Sequence, residues 1–214
     1  EPRRLGDLTW DLYALVTRSY AADPSLEERR KATLHVVESA ALGQELSGDD
    51  RATAALASRL AEAVVRCHLK TMERIGVSYD LLPRESDILG RRFWQKAFDL
   101  LKAAGATQLE TEGKNAGCWV MKLEGAKEFE GMEDADKVLV RSNGTVTYTG
   151  KDVAYQLWKL GDLGIDFEYE KTPYVNPFGD AEFVASDGTS PLYRTRHDAE
   201  GADPEARGRF GGGD

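Results

Sequence analysis

Cysteine, histidine and uninterrupted hydrophobic sequence are what this 214-residue chain has least of. Its two cysteines, Cys67 in a helical pattern and Cys118 in a strand pattern, give neither a disulfide framework nor a metal-ligand spacing, and both are expected as buried thiols. The three histidines, His35, His68 and His197, fall in separate segments, which leaves a metal centre or a Ser-His-Asp triad without support. His35 and His68 read as ordinary helix residues. No apolar run approaches the ~20 residues of a membrane span, and EPRRLGDLTW lacks the apolar core of a signal peptide; no membrane partner and a cytoplasmic setting are expected. A start at Glu1 in place of Met is expected of a processed chain or of a piece cut from a longer one.

Positive charge is also scarce. With 28 Lys and Arg against 37 Asp and Glu, the formal net charge is −9, which argues against broad, nonspecific binding to phosphate backbones but leaves a local RNA contact open. Arg29-Arg30-Lys31 and Arg91-Arg92 are small basic clusters read as solvated helix faces. What is present is the composition of a soluble globular protein, 41% hydrophobic and 30% charged, enough for one sizeable domain with a loosely attached subregion.

Periodicity divides the chain. Leu8, Leu12, Leu15, Val16 and Tyr20 predict a helix with one buried stripe, stopped by Asp23-Pro24. Ser25 and Glu28 read as a capping box opening a second helix toward Gly43. A third, longer helix follows Gly48-Asp49-Asp50, with Leu56, Leu60, Val64, Cys67, Met72 and Ile75 on one face and Gly76 as its stop. Residues 77–82 are extended, and a single amphipathic helix should run from Glu85-Ser86 to Gly105. Trp94 and Phe98 in it read as core.

Residues 107–112 and 117–123 have strand character, joined by a turn at Lys114-Asn115-Ala116-Gly117, with Trp119, Met121 and Leu123 on one face. The loop that follows carries Glu124, Glu128, Glu130, Glu133, Asp134 and Asp136 without calcium-loop spacing, and is read as solvated. Beyond Gly161, Pro173, Pro177, Asp187-Gly188 and Pro191 interrupt regularity around Phe167, Tyr169, Tyr174 and Phe178, and the Gly-rich tail reads as mobile. The expected division is a mainly helical region at 1–105, an α/β part at 106–165 and an irregular extension at 166–214.

The stretch DKVLVRSNGTVTYTGKDVAYQLWKLG, residues 136–161, concentrates the most information. Val138-Leu139-Val140, the turn signal Ser142-Asn143-Gly144 and the β-branched run Thr145–Thr149 predict a hairpin. Gly150 should permit a bend into a helix carrying Val153, Ala154, Leu157, Trp158 and Leu160, ended by Gly161. Tyr148 and Asp152 stand four residues apart at that junction. On spacing alone, Asp152 caps the helix and Tyr148 covers the sheet, or the two meet a small ligand beside free backbone N–H groups.

This stretch closely resembles a segment of class I arginyl-tRNA synthetases, of the form hydrophobic-R-S-D/N-G-T-x-T-Y-x-x-K/R-D-hydrophobic-A. LGDLTWDLY with ADPSLEERRKATLHVVES, RIGVSYDLLPRESDIL and GKNAGCWVMKLEG resemble further segments of that family, so that most of residues 5–165 is covered. The resemblance implies an α/β fold, part of a Rossmann-like catalytic domain with a helical insertion, in which Tyr148 and Asp152 line the arginine pocket. A carboxylate accepts two parallel hydrogen bonds from a planar guanidinium, which suits an Asp to choosing arginine over lysine.

The family's HIGH-type and KMSKS-type ATP signatures are absent from the chain. The resemblance therefore implies an internal piece of an enzyme that joins arginine to tRNA using ATP, with Mg expected beside the ATP; the piece is expected to be monomeric and inactive alone, with no catalytic residue and no metal site of its own. The alternative is a noncatalytic binding or assembly module that reuses the synthetase fold.

Overall fold

A computed structural model describes residues 2–123, 136–174 and 182–210, with side chains from Gly6 onward. These residues fall in two compact units, each described by itself. The first draws on residues 1–86, 169–196 and 201–203, and the second on 87–168, 197–200 and 204–214.

The first unit begins with three helices, α1 (Pro2–Ala22), α2 (Pro24–Ala41) and α3 (Gly48–Arg74), which pack on one another. The capping box at Ser25 is corrected. Asp23 is the N-cap of α2, its carboxylate accepting from Ser25 N at 2.9 Å, while Pro24 takes the first helical position, where a missing N–H costs nothing. Glu28 pairs with Lys31 instead. The expected buried stripe of α1 is also corrected: Leu8, Trp10, Leu12, Tyr13, Leu15 and Val16 are all exposed, and the partly buried positions include the small residues Gly6, Thr9, Ala14 and Ser19. Gly6 faces Cys67 on α3, and a Cβ there would meet Cys67 Cβ at 3.6 Å, an ordinary van der Waals contact. On α3 the buried residue is Leu69, while Leu56, Leu60 and Ile75 are exposed. Cys67 and Cys118 are not joined in a disulfide, and both are half-buried where full burial was expected.

A three-stranded sheet completes this unit in the order β1 (Leu81–Leu82), β6 (Tyr193–Arg196), β5 (Glu168–Lys171), with β1 and β6 parallel. Strands 168–171 and 193–196 and a short helix, α7 (Pro204–Phe210), thus occur in the stretch that proline and glycine marked as irregular. Leu69, Tyr174 and Leu192 form the core, with Val65, Tyr79, Leu82 and Phe183 against it. A charged layer borders this core. Arg194 donates to Glu170 at 2.6 Å and to Glu62 at 2.9 Å, and stands over the ring of Tyr174 at 5.7 Å.

In the second unit the expected single helix is two, α4 (Glu85–Gly90) and α5 (Phe93–Ala103). Arg92 adopts a left-handed conformation, φ 59°, between them. Arg91 explains the break: Nε and Nη2 both donate to Asp166 O, at 2.9 and 2.7 Å, and Nη1 reaches toward His197 O at 3.5 Å. The solvated-face reading holds for Arg92, which is exposed, and is corrected for Arg91, which binds a distant part of the chain.

An antiparallel sheet of β2 (Gln108–Leu109), β3 (Trp119–Met121) and β4 (Lys137–Val140) lies in the same unit. Val120, fully buried, points to the core, and the flanking Trp119 and Met121 are only partly covered. Asp136, the one member of the acidic stretch inside the described residues, accepts from Lys122 Nζ at 2.8 Å and Leu123 N at 3.0 Å, joining the ends of β3 and β4. Its carboxylate and that of Glu110 hold the Lys122 ammonium above its usual range. Glu124, Glu128, Glu130, Glu133 and Asp134, like Pro177, Phe178 and residues 211–214, lie outside the described residues. Helix α6 (Tyr148–Lys159) packs on α5 and β4. Phe93, Phe167 and Trp158 form its aromatic core, with ring centres 4.3 and 4.9 Å apart, and Trp158 Nε1 donates to Asp166 Oδ1 at 2.7 Å.

Candidate functional site

The local fold at residues 136–161 is set by its turn. Gly144 N donates to Arg141 O at 2.9 Å, with Gly144 at φ 84°, where a glycine is under no steric penalty. Asn143 Oδ1 accepts from Thr145 N at 3.0 Å, and Arg141 N donates to Thr145 O at 2.9 Å. The second hairpin strand does not form. The antiparallel pairing is limited to a bridge between Val140 and Val146 and its flanking backbone bonds, because α6 begins at Tyr148.

Thr147 is the N-cap. Its backbone is extended, and its side chain accepts from Gly150 N at 3.3 Å while the hydroxyl lies 2.7 Å from Val138 O and 3.2 Å from Leu139 O. Thr147 N donates to Leu139 O at 2.9 Å. The helix start is thus bonded to β4 at several points. This corrects two sequence expectations: Asp152 is not the cap, and Gly150 is inside the first turn, not in a bend before it. A β-branched residue suits a strand and an N-cap alike, and here the cap wins because the chain turns away from β4 at once.

Gly150 is buried against three groups. A Cβ there would stand 2.9 Å from Leu139 O, 2.9 Å from Val146 Cγ1 and 3.1 Å from Trp94 Cζ3. Trp94 itself is buried and stacks on Phe98, which meets Trp119 edge-on, both at 5.1 Å. At the other end, Gly161 at φ 80° follows the C-cap Leu160, and the bonds Asp162 N to Leu157 O and Gly161 N to Trp158 O close the helix as predicted.

On this scaffold the structure places Tyr148 at the first helical position and Asp152 one turn further along the same face. Both are exposed, Tyr148 at 76%, so Tyr148 does not cover a sheet. Lys151 Nζ lies 5.7 Å from the centre of the Tyr148 ring. Among the described residues, no hydrogen bond or ion pair engages the Asp152 carboxylate. One turn on, Tyr155 stacks on Trp158 at 5.3 Å, and burial pushes its phenol up from its ordinary pKa. No described cluster of three or more His, Cys, Asp or Glu side chains is arranged to hold a metal ion.

Sequence reasoning found the Tyr148–Asp152 pair but missed Thr147 and Gly150 as its supports. A signal was available: Thr followed three residues later by a glycine amide fits an N-cap as well as a strand. The bond from Arg91 to Asp166 had no local signal.

The arrangement is therefore an exposed aromatic and an unengaged carboxylate on a rigidly seated helix start, within a mixed α/β chain. That chain matches a solved aminoacyl-tRNA synthetase over most of its length. That solved structure is the arginyl-tRNA synthetase of Thermus thermophilus, to which this chain is similar with a TM-score of 0.52 at 29% identity over 84% of this chain and 26% of the other. The arginine–tRNA ligase of Thermus thermophilus is 35% identical over 182 residues, 80% of this chain and 27% of that protein. The arginine–tRNA ligase of Pyrococcus abyssi is 39% identical over 159 residues, 74% and 23% respectively. No family model matches the chain. The resemblance to arginyl-tRNA synthetases is thereby shown, and this chain spans about a quarter of the length of the curated relatives it matches. A stretch covering 80% of 214 residues is about 171 residues long and always includes positions 44–171, so the matched region contains Tyr148 and Asp152.

Proposed function

We propose that this chain is part of an enzyme that activates arginine with ATP and transfers it to tRNA, and that Tyr148 and Asp152 line the arginine pocket. The observation that carries the reading is the unengaged Asp152 carboxylate, one helical turn from exposed Tyr148, inside a segment that arginine–tRNA ligases share. A carboxylate held on a helix gives a guanidinium two parallel acceptors, and a tyrosine ring beside it offers a face to the same planar cation. A lysine ammonium, a point charge without the fork, gains less from this pair.

In the first step the arginine carboxylate attacks the α-phosphate of ATP to give an arginyl-adenylate and pyrophosphate; in the second a hydroxyl of the terminal ribose of tRNA attacks the arginyl carbonyl carbon, forming the ester as AMP leaves. Tyr148 and Asp152 hold and orient arginine in the first step, and such chemistry depends on alignment more than on a covalent nucleophile. On this reading ATP and its Mg are bound by the full-length protein, and among the described residues no group of three or more His, Cys, Asp or Glu side chains could hold a metal ion. On this reading the α/β framework is a portion of a class I, Rossmann-like catalytic domain, the parallel pair β1–β6 being consistent with that topology. The full-length protein acts as a monomer in the cytoplasm, and this chain alone is inactive.

The test is arginine-dependent ATP–pyrophosphate exchange by the full-length protein. Asp152→Ala is expected to raise the arginine KM by on the order of 10- to 100-fold, the loss of a charge-assisted pair, with the ATP KM unchanged. An unchanged arginine KM removes Asp152 from the pocket. Exchange by this chain alone would refute its inactivity.

A further inference from the structure

The geometry points to Thr147 as a positioning residue for arginine recognition, acting through the seat it builds for the first turn of α6. The inference rests on the reading of Tyr148 and Asp152 given above. Thr147 is adjacent to Tyr148 in sequence and one residue more than a helical turn from Asp152, and its hydroxyl touches both β4 and the helix start. It lies 2.7 Å from Val138 O and 3.2 Å from Leu139 O, and accepts from Gly150 N at 3.3 Å. The main chain adds Thr147 N to Leu139 O at 2.9 Å and Lys151 N to Thr147 O at 3.1 Å.

Gly150 then presses α6 onto β4, within 2.9 Å of Leu139 O as measured from its absent Cβ. Tyr148 and Asp152 are exposed, and neither is fixed in direction by burial in a core. Their aim is therefore set by where the helix starts and at what angle it leaves the sheet. A two-point carboxylate–guanidinium contact is sensitive to that aim, since both hydrogen bonds must be satisfied together. On the same reading the pair contacts arginine and not ATP, so ATP binding does not depend on that aim.

The test uses the full-length protein. Thr147→Val keeps the shape of the side chain and removes the hydroxyl; it is expected to raise the arginine KM about fivefold, the effect of one neutral hydrogen bond, and to leave the ATP KM within about twofold. Thr147→Ser, which restores the hydroxyl, is expected to bring the arginine KM back. Thr147→Ala carries the same expectation as the valine variant should that one not fold. If Asp152→Ala raises the arginine KM and the hydroxyl-free variants do not, or if they raise the arginine and ATP KM equally, the positioning role is overturned and the pocket stands. If Asp152→Ala has no effect, the pocket reading falls and this inference falls with it.

Discussion

Arg91 holds the backbone carbonyl of Asp166 with two nitrogens of its guanidinium, Nε at 2.9 Å and Nη2 at 2.7 Å, across 75 residues of sequence. The Asp166 side chain is engaged at the same time, accepting from Trp158 Nε1 and from Phe167 N. One residue thus ties the start of α5 to the segment that follows α6. A lysine cannot reproduce the forked contact, and Arg91→Lys is expected to lower unfolding stability by about 1–2 kcal/mol in urea titration. A variant as stable as the parent would show that the fork contributes nothing net.

Gly150→Ala sets two effects against each other. Within a helix, alanine is favoured over glycine by about 0.5–1 kcal/mol. Here a Cβ meets Leu139 O and Val146 Cγ1 at 2.9 Å, and such overpacking costs about 1–3 kcal/mol. The clash should win, so thermal unfolding of the variant is expected at a lower temperature than the parent; a stabilised variant would contradict the tight seating of α6.

The turn at Asp187 is expected to depend on acid pH. The Ser190 hydroxyl and amide, and the Thr189 amide, donate to its carboxylate and hold its pKa well below the usual range. A group depressed on folding lends stability above its unfolded pKa, about 4, and loses it as pH falls through the lower folded value. Protection of the Thr189 and Ser190 amides, measured against their intrinsic exchange rates, should therefore fall below about pH 4, and Asp187→Asn should abolish that pH dependence. Exchange protection that is flat down to pH 2 in the parent would remove the link.

How much of this was readable beforehand follows from the range of each interaction. The helices at Pro2–Ala22, Pro24–Ala41 and Gly48–Arg74 were legible because caps and stops are local, and the stop at Gly161 was legible for the same reason. Which face they bury was not: Leu8, Leu12, Leu15 and Val16 of α1 are exposed, and its partly covered positions are Gly6, Thr9, Ala14, Ser19 and Tyr20. The break between α4 and α5 hid in a continuous amphipathic pattern, since its cause is Arg91 reaching Asp166. Strands EYEK and YRTR carry charges that mask their alternation, and those charges are satisfied by partners such as Glu62, distant in sequence. Within the candidate site, the pair Tyr148 and Asp152 was legible by resemblance. The hairpin reading of Thr145–Thr149 failed on a residue type that serves strands and caps equally.

The contact beneath Gly150 has an evolutionary consequence. A glycine crowded by side chains alone can be replaced once a neighbour shrinks, and trimming Trp94 or Val146 would relieve those two contacts. The third neighbour is the carbonyl oxygen of Leu139, part of a strand backbone that no substitution can shorten. Second-site suppressors of Gly150→Ala are accordingly expected to restore only part of the loss. The sequence is free to drift around this point, but the point itself has no short mutational path away from glycine.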